Sequence, residues 1–147
     1  MAPDAEIYIL KLFTDNEITY SSWFIDAFNF VLDHDIDIVN LSLATKDTRD
    51  TPFIEKIAEL TAAGIIVVSA IGNDGPTQGS SENPGDLIEV VGVGSLSADF
   101  DAPAAFTSRG MTKSAQGLGI GIPKPDLLLP GENILSLDLW SGQCVVN

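Results

Sequence analysis

Apolar residues recur along the chain in two alternating rhythms. Residues 7–13 form a short run of strand formers closed by the polar stretch Thr14-Asp15-Asn16-Glu17, which predicts a buried strand ending in a turn. Trp23, Ala27, Phe30 and Val31 then recur at helical spacing with Phe24 and Phe28 beside them. Ser21 or Ser22 stands where an N-cap is wanted, and Asp33-His34-Asp35 ends the pattern. Residues 36–43 predict a second strand, polar only at Asp37, Asn40 and Ser42. The second helix is the best delimited element: Thr51 as N-cap, Pro52 at the first helical position, Phe53, Ile57 and Leu60 along one face, Gly64 just past the end. Residues 65–71 follow as its partner strand.

Strand, helix, strand, helix, strand in this rhythm implies parallel strands joined by right-handed crossovers, with helices covering the sheet. The expected fold class is therefore α/β. A polar loop rich in Gly, Ser, Asn and Pro spans residues 72–85, residues 88–93 supply a further short strand, and residues 127–129 and 134–137 offer two more in a loop-rich second half.

Composition narrows the function classes. A hydrophobic share of 45% over 147 residues suits one globular core and excludes a disordered acidic tail, despite 21 Asp+Glu against 7 Lys+Arg and a net charge of -14. The basic residues are scattered and form no patch to neutralise a run of phosphates, so neither nucleic acid nor an anionic membrane is expected as a partner. A single Cys144 cannot form an internal disulfide. The longest apolar runs fall far short of the roughly 18 residues of a membrane span, and no basic-then-apolar signal opens the chain.

In an open parallel sheet, ligands bind outside the carboxyl ends of the strands. That rule selects Ser42-Leu43-Ala44-Thr45 after the second strand and Gly72-Asn73-Asp74-Gly75 after the third, as neighbouring walls of one cleft. Asn73 offers a neutral amide with two donors, suited to an oxygen that gains negative charge, and Gly72 and Gly75 let backbone approach closely. The alternative is a plain Asn-Asp-Gly-Pro turn.

Other candidates are weaker. Gly117-Leu118-Gly119-Ile120-Gly121 lacks the strand-then-helix setting of a nucleotide loop and reads as a flexible loop. His34 at a helix end suits the dipole and the last-turn carbonyls. One His and one Cys give no transition-metal cluster, and the acids are not spaced as a calcium loop. Asn40-Leu41-Ser42 matches the glycosylation pattern but falls in an expected buried strand. Asp37 and Asp126 read as solvated or capping acids.

Four stretches in order and spacing resemble the subtilisin-like serine endopeptidases. They are Ile36-Asp37-Ile38-Val39-Asn40-Leu41-Ser42-Leu43, the run from Ala63-Gly64 through Ser69-Ala70-Ile71-Gly72-Asn73-Asp74-Gly75-Pro76, the motif Phe106-Thr107-Ser108-Arg109-Gly110, and Lys124-Pro125-Asp126 with Pro130-Gly131. The helix from Tyr20 to Asn29, with Ser69 to Pro76 and Ser108-Arg109-Gly110-Met111, is most similar to the site-one protease branch of secretory-pathway processing enzymes. The resemblance covers nearly the whole chain and implies a three-layer, mostly parallel twisted sheet with helices on both faces, here incomplete. It implies that Asn73 is the oxyanion-hole amide. Ser42, Leu43, Ala44 and Thr45 would pair with substrate backbone and line the first specificity pocket, with Ala70, Ile71 and Gly72 on the opposite wall and Asn83-Pro84 closing it. Ala44-Thr45 stands where the family usually has Gly-Gly. No cofactor is implied; calcium occurs in the family, but no site for it is readable here.

A serine triad needs a nucleophile, a His that takes its proton and an acid that orients the His. In the family the Asp and His motifs lie upstream of the segment that starts here, and the Gly-Thr-Ser motif follows the stretch at Cys144-Val145-Val146-Asn147. His34 is followed by Asp35 rather than Gly-Thr. The expectation is the middle portion of a catalytic domain, residues 1–147, from a parent that hydrolyses polypeptides in the secretory pathway, the piece itself being inactive. An exposed apolar face and sheet edge would make it self-associate. The alternative is a non-catalytic peptide-binding or doubly wound module.

Overall fold

The computed structural model describes residues 3–112, 121–137 and 144–146. Two helices, α1 (Ser21–Asp33) and α2 (Thr51–Ala62), alternate with strands β1 (Ile38–Leu41), β2 (Ile66–Ala70) and β3 (Val91–Leu96). Five short strands follow: β4 (Gly110–Met111), β5 (Pro123–Lys124), β6 (Leu127–Pro130), β7 (Leu135–Leu137) and β8 (Cys144–Val146). The main sheet has the order β1-β2-β3-β6 and every pairing in it is parallel. Two antiparallel pairs, β4 with β5 and β7 with β8, stand apart from it.

The helices form because their apolar residues share one stripe. Phe24, Ala27, Phe28 and Val31 are buried on α1, and Phe53, Ile57 and Leu60 on α2. Their rings interlock, Phe53 lying 5.7 Å from both Phe24 and Phe28. Beneath them Val39, Leu41 and Val67, which alternate with exposed neighbours along β1 and β2, complete a single core. Ile57 and Leu60 are 0% exposed, and each such side chain contributes about 1.5–3 kcal/mol.

The expected α/β architecture is thus present, with both described helices on one face. The register Ile38↔Ile66 and Val93↔Leu127 puts the other set of side chains on the opposite face. There Ile38, Ile66, Leu127 and Leu129 are each more than half exposed. A second helical layer is not found among the described residues.

Several local expectations are corrected. Residues 7–13 join no ladder; Tyr8 and Phe13 instead set their rings 6.1 Å from Phe30 and Phe24 of α1. Only those rings and Leu12 pack on the helix layer, while Ile7 and Ile9 are 76% and 87% exposed, so the run is neither paired as a strand nor buried. Trp23 is 36% exposed and meets Tyr20 edge-on, so the buried stripe runs through Phe24 and Phe28. The N-cap of α2 is Asp50, whose carboxylate accepts from Phe53 N at 3.3 Å, and Thr51 is already helical. The N-cap of α1 is Tyr20 without a side-chain cap; Ser21 Oγ donates to Asp50 Oδ2 at 2.5 Å and ties the two helix starts together. The strand expected from residue 88 begins at Val91, as β3, because turn bonds from Leu87 N to Pro84 O and from Val90 N to Leu87 O hold the chain before it. Asn40 is exposed rather than buried, and its Nδ2 donates to Ser42 Oγ at 3.0 Å.

His34 closes α1 as expected, its Nδ1 2.8 Å from Phe30 O. Gly64, past the end of α2, takes φ +90, open only at low cost to glycine. Lys124 and Asp126 fix β6 against β3. The Lys124 ammonium, its side chain 1% exposed, donates to Val90 O at 2.7 Å and to Asp126 Oδ2 at 2.6 Å, and the same oxygen accepts from Gly92 N at 2.7 Å. The glycine-rich stretch at 117–121 lies, but for Gly121, outside the described residues, as does the Cys144 side chain.

Candidate active site

Because β1 and β2 are adjacent and parallel, the segments leaving their carboxyl ends run side by side. Ser69 Oγ lies 3.3 Å from both Leu41 O and Leu43 O and links the first segment to β2. Residues 82–84 fold back between the two. Thr45 and Asn83 exchange a reciprocal pair of backbone bonds, Thr45 N to Asn83 O at 2.8 Å and Asn83 N to Thr45 O at 2.9 Å, and Glu82 N donates to Ile71 O at 3.0 Å. Asn83 and Pro84 are buried.

The positions singled out in the sequence are joined by these bonds rather than by one common cavity. Ala70, Ile71, Gly72 and Asn73 line a pocket of about 210 Å³ with Phe106 and Gly131 at the ends of β2, β3 and β6. Ser42 and Leu43 line a different cavity, of about 280 Å³, against Tyr8 and Phe28. Ala44 and Thr45 border a third, with Phe53 and Asp50.

Asn73 is exposed and lines this pocket. Gly72 before it takes φ +107, a conformation strained for any side chain. A Cβ there would also stand 2.7 Å from Glu82 Oε2. Glu82, 8% exposed, thereby sits between the two walls. Sequence reasoning missed it, since one acid in a polar loop carries no periodic or motif signal.

Asp74 follows Asn73, and its Oδ2 lies 2.5 Å from Lys46 Nζ on the opposite segment. The hydrogen bond from Lys46 to this carboxylate, reinforced by its charge and less strongly by that of Glu82, raises the Lys46 pKa above the ordinary lysine value. Among the described residues no group of three or more His, Cys, Asp or Glu side chains converges to hold a metal ion. No described helix is long and apolar enough to cross a membrane.

A family model of the subtilases, peptidase family S8, matches residues 1–147. The chain belongs to the subtilase family. It is 47% identical over 142 residues to the human membrane-bound transcription factor site-1 protease, covering 96% of this chain and 13% of that protein. It is 46% identical over 141 residues to the subtilisin-like protease SBT6.1 of Arabidopsis thaliana, covering 96% of this chain and 14% of that one. The chain therefore spans about one-seventh of the length of these relatives. Among solved structures it is similar to sphericase, with a TM-score of 0.78 and 21% identity over 98% of this chain and 49% of that one. That likeness shows the subtilisin-like fold; both relatives named above are proteases.

Proposed function

We propose that this subtilase chain is the middle portion of a serine endopeptidase catalytic domain, supplying the oxyanion-hole donor and the walls of the substrate cleft. The nucleophile, its His and the orienting Asp then come from elsewhere in the full protein. The observation that carries the reading is the setting of Asn73: an exposed asparagine lining a pocket, on a pinned loop at the carboxyl end of a central strand. A neutral donor held there gains most when the carbonyl oxygen becomes negative in the tetrahedral intermediate, so its effect falls on turnover more than on binding.

In this reading the substrate is a polypeptide. Ser42, Leu43, Ala44 and Thr45 meet it on one side and Ala70, Ile71 and Gly72 on the other, while Asn83 and Pro84 hold the walls at their spacing. The family membership and the relatives support the serine-protease chemistry. A secretory-pathway location belongs to the same proposal, tested by fractionating cells that express the full gene product. We also propose that the 147-residue chain alone self-associates through the sheet face bearing Ile38, Ile66, Leu127 and Leu129. A single monomeric boundary in sedimentation at high concentration would remove that proposal.

The deciding experiment substitutes Asn73→Ala in the full gene product. Loss of the corresponding donor in subtilisin costs ~10²–10³ in turnover, a value carried over from that enzyme. A similar fall in kcat with KM little changed is expected. An active-site serine probe should label the full gene product and leave this chain alone unlabelled; labelling of this chain would overturn the assignment.

A further inference from the structure

Asn73 is bracketed by one buried residue distant in sequence. Ser108, 0% exposed, donates its backbone N–H to Gly72 O at 3.0 Å and accepts from Asp74 N at 2.9 Å through its hydroxyl oxygen. The peptide groups on either side of Asn73 are thus both held by Ser108. A third bond, from Gly75 N to Phe106 O at 2.8 Å, extends the same seam. The fit is close, since a Cβ on Gly75 would stand 2.1 Å from Thr107 O.

Ser108 itself stands on a fixed base. Thr107 Oγ1 accepts from Ser95 N at 2.9 Å at the end of β3, and Ala104 N donates to Ser95 O at 2.9 Å. The Arg109 guanidinium donates to Ala104 O at 3.0 Å and to Thr107 O at 3.3 Å, closing residues 104–109 on themselves. The sheet therefore carries this segment, and the segment carries the Asn73 loop.

We propose that Ser108 is the positioning residue for Asn73, its hydroxyl setting the Asp74 peptide and so the direction in which the Asn73 amide points. This rests on the oxyanion reading of Asn73. A donor aimed at a charge that develops only in the transition state tolerates little misplacement. Alanine at 108 keeps the backbone bond to Gly72 and removes the acceptor for Asp74 N–H, so one side of the bracket opens.

The test measures kcat and KM in the full gene product for S108A, S108T, N73A and the double variant S108A/N73A, with thermal midpoints alongside. Loss of one such hydrogen bond is expected to lower kcat about tenfold. KM stays within about twofold, S108T restores most of the loss, and S108A on the N73A background changes kcat by less than about twofold, because two groups acting through one donor are not additive. If S108A does not accumulate as folded protein, Ser108→Cys, which keeps the volume with a weak acceptor, should give the same pattern. Full kcat in S108A beside an impaired N73A overturns this inference and leaves the oxyanion reading standing. An equal fall in kcat on both backgrounds overturns it as well, by showing an independent structural role. Full kcat in N73A removes the oxyanion reading and this inference with it.

Discussion

Lys46 Nζ and Asp74 Oδ2, 2.5 Å apart, join the segment leaving β1 to the residue after Asn73. The side chains are 75% and 44% exposed, so water and salt screen the pair. The Asp74 carboxylate nonetheless raises the Lys46 pKa above its ordinary value of 10.5. For a folded-state pKa that is raised, the contribution to stability is fully present below the unfolded value and is lost as pH rises through the folded one. The Lys46 contact should therefore persist unchanged across neutral and mildly alkaline pH. An NMR titration of the Lys46 side chain should give a midpoint above 10.5 that moves back toward the ordinary value in the Asp74→Asn variant. A midpoint unaffected by D74N would show that the pair does not persist in solution.

Gly72 and Gly64 separate two costs of a side chain. Both have positive φ, but a Cβ at Gly64 meets open space whereas one at Gly72 meets the Glu82 carboxylate. Gly64→Ala should cost about 1 kcal/mol from backbone conformation alone. Gly72→Ala should cost about 2–3 kcal/mol, conformation and clash together. Urea unfolding of the two variants compares them, and equal losses would mean that Glu82 moves aside freely.

The two faces of the sheet should respond differently to truncation. Ile57, 0% exposed on the core stripe of α2, should lose about 2–5 kcal/mol as Ile57→Ala. Ile66, 53% exposed on the open face, should lose under about 1 kcal/mol as Ile66→Ala when measured on the monomer, at protein concentrations too low for self-association. Comparable losses would mean that the open face is covered in solution.

Asp126 neutralises a buried ammonium and accepts a backbone bond with the same oxygen. Asp126→Ala should leave Lys124 uncompensated and destabilise by about 3 kcal/mol. Adding Lys124→Met should recover part of this, since it removes the stranded charge. A double variant less stable than the single one would refute the assignment.

The helix cores were readable because Phe24, Phe28, Phe53, Ile57 and Leu60 recur with the period of a helix and face one layer. The loops at 42–45 and 72–75 were readable because sheet topology alone dictates where strands end. Residues 7–13 misled because apolar, strand-forming composition says nothing of whether a neighbouring strand is there to pair with; the run instead lies largely exposed, with the Tyr8 and Phe13 rings against α1. The exposure of Asn40 follows from which face of β1 meets the helices, a choice the alternation cannot make by itself. Glu82 and Ser108 matter only through contacts with chain far away in sequence: Ser108 reaches Asp74 across 34 residues, and no local pattern records that.

That separation also orders events in time. The bonds from Gly92 N to Asp126 Oδ2 and from Lys124 Nζ to Val90 O span 34 residues as well, and pairings so distant in sequence raise the contact order and slow folding. A nascent chain that has made β1, α1, α2 and β2 holds its core residues but not the segment that orients Asn73. The Asn73 loop should therefore reach its final conformation only after residues 104–109 dock. Pulsed hydrogen exchange would then find the amide of Asp74 protected later than those of β1 and β2.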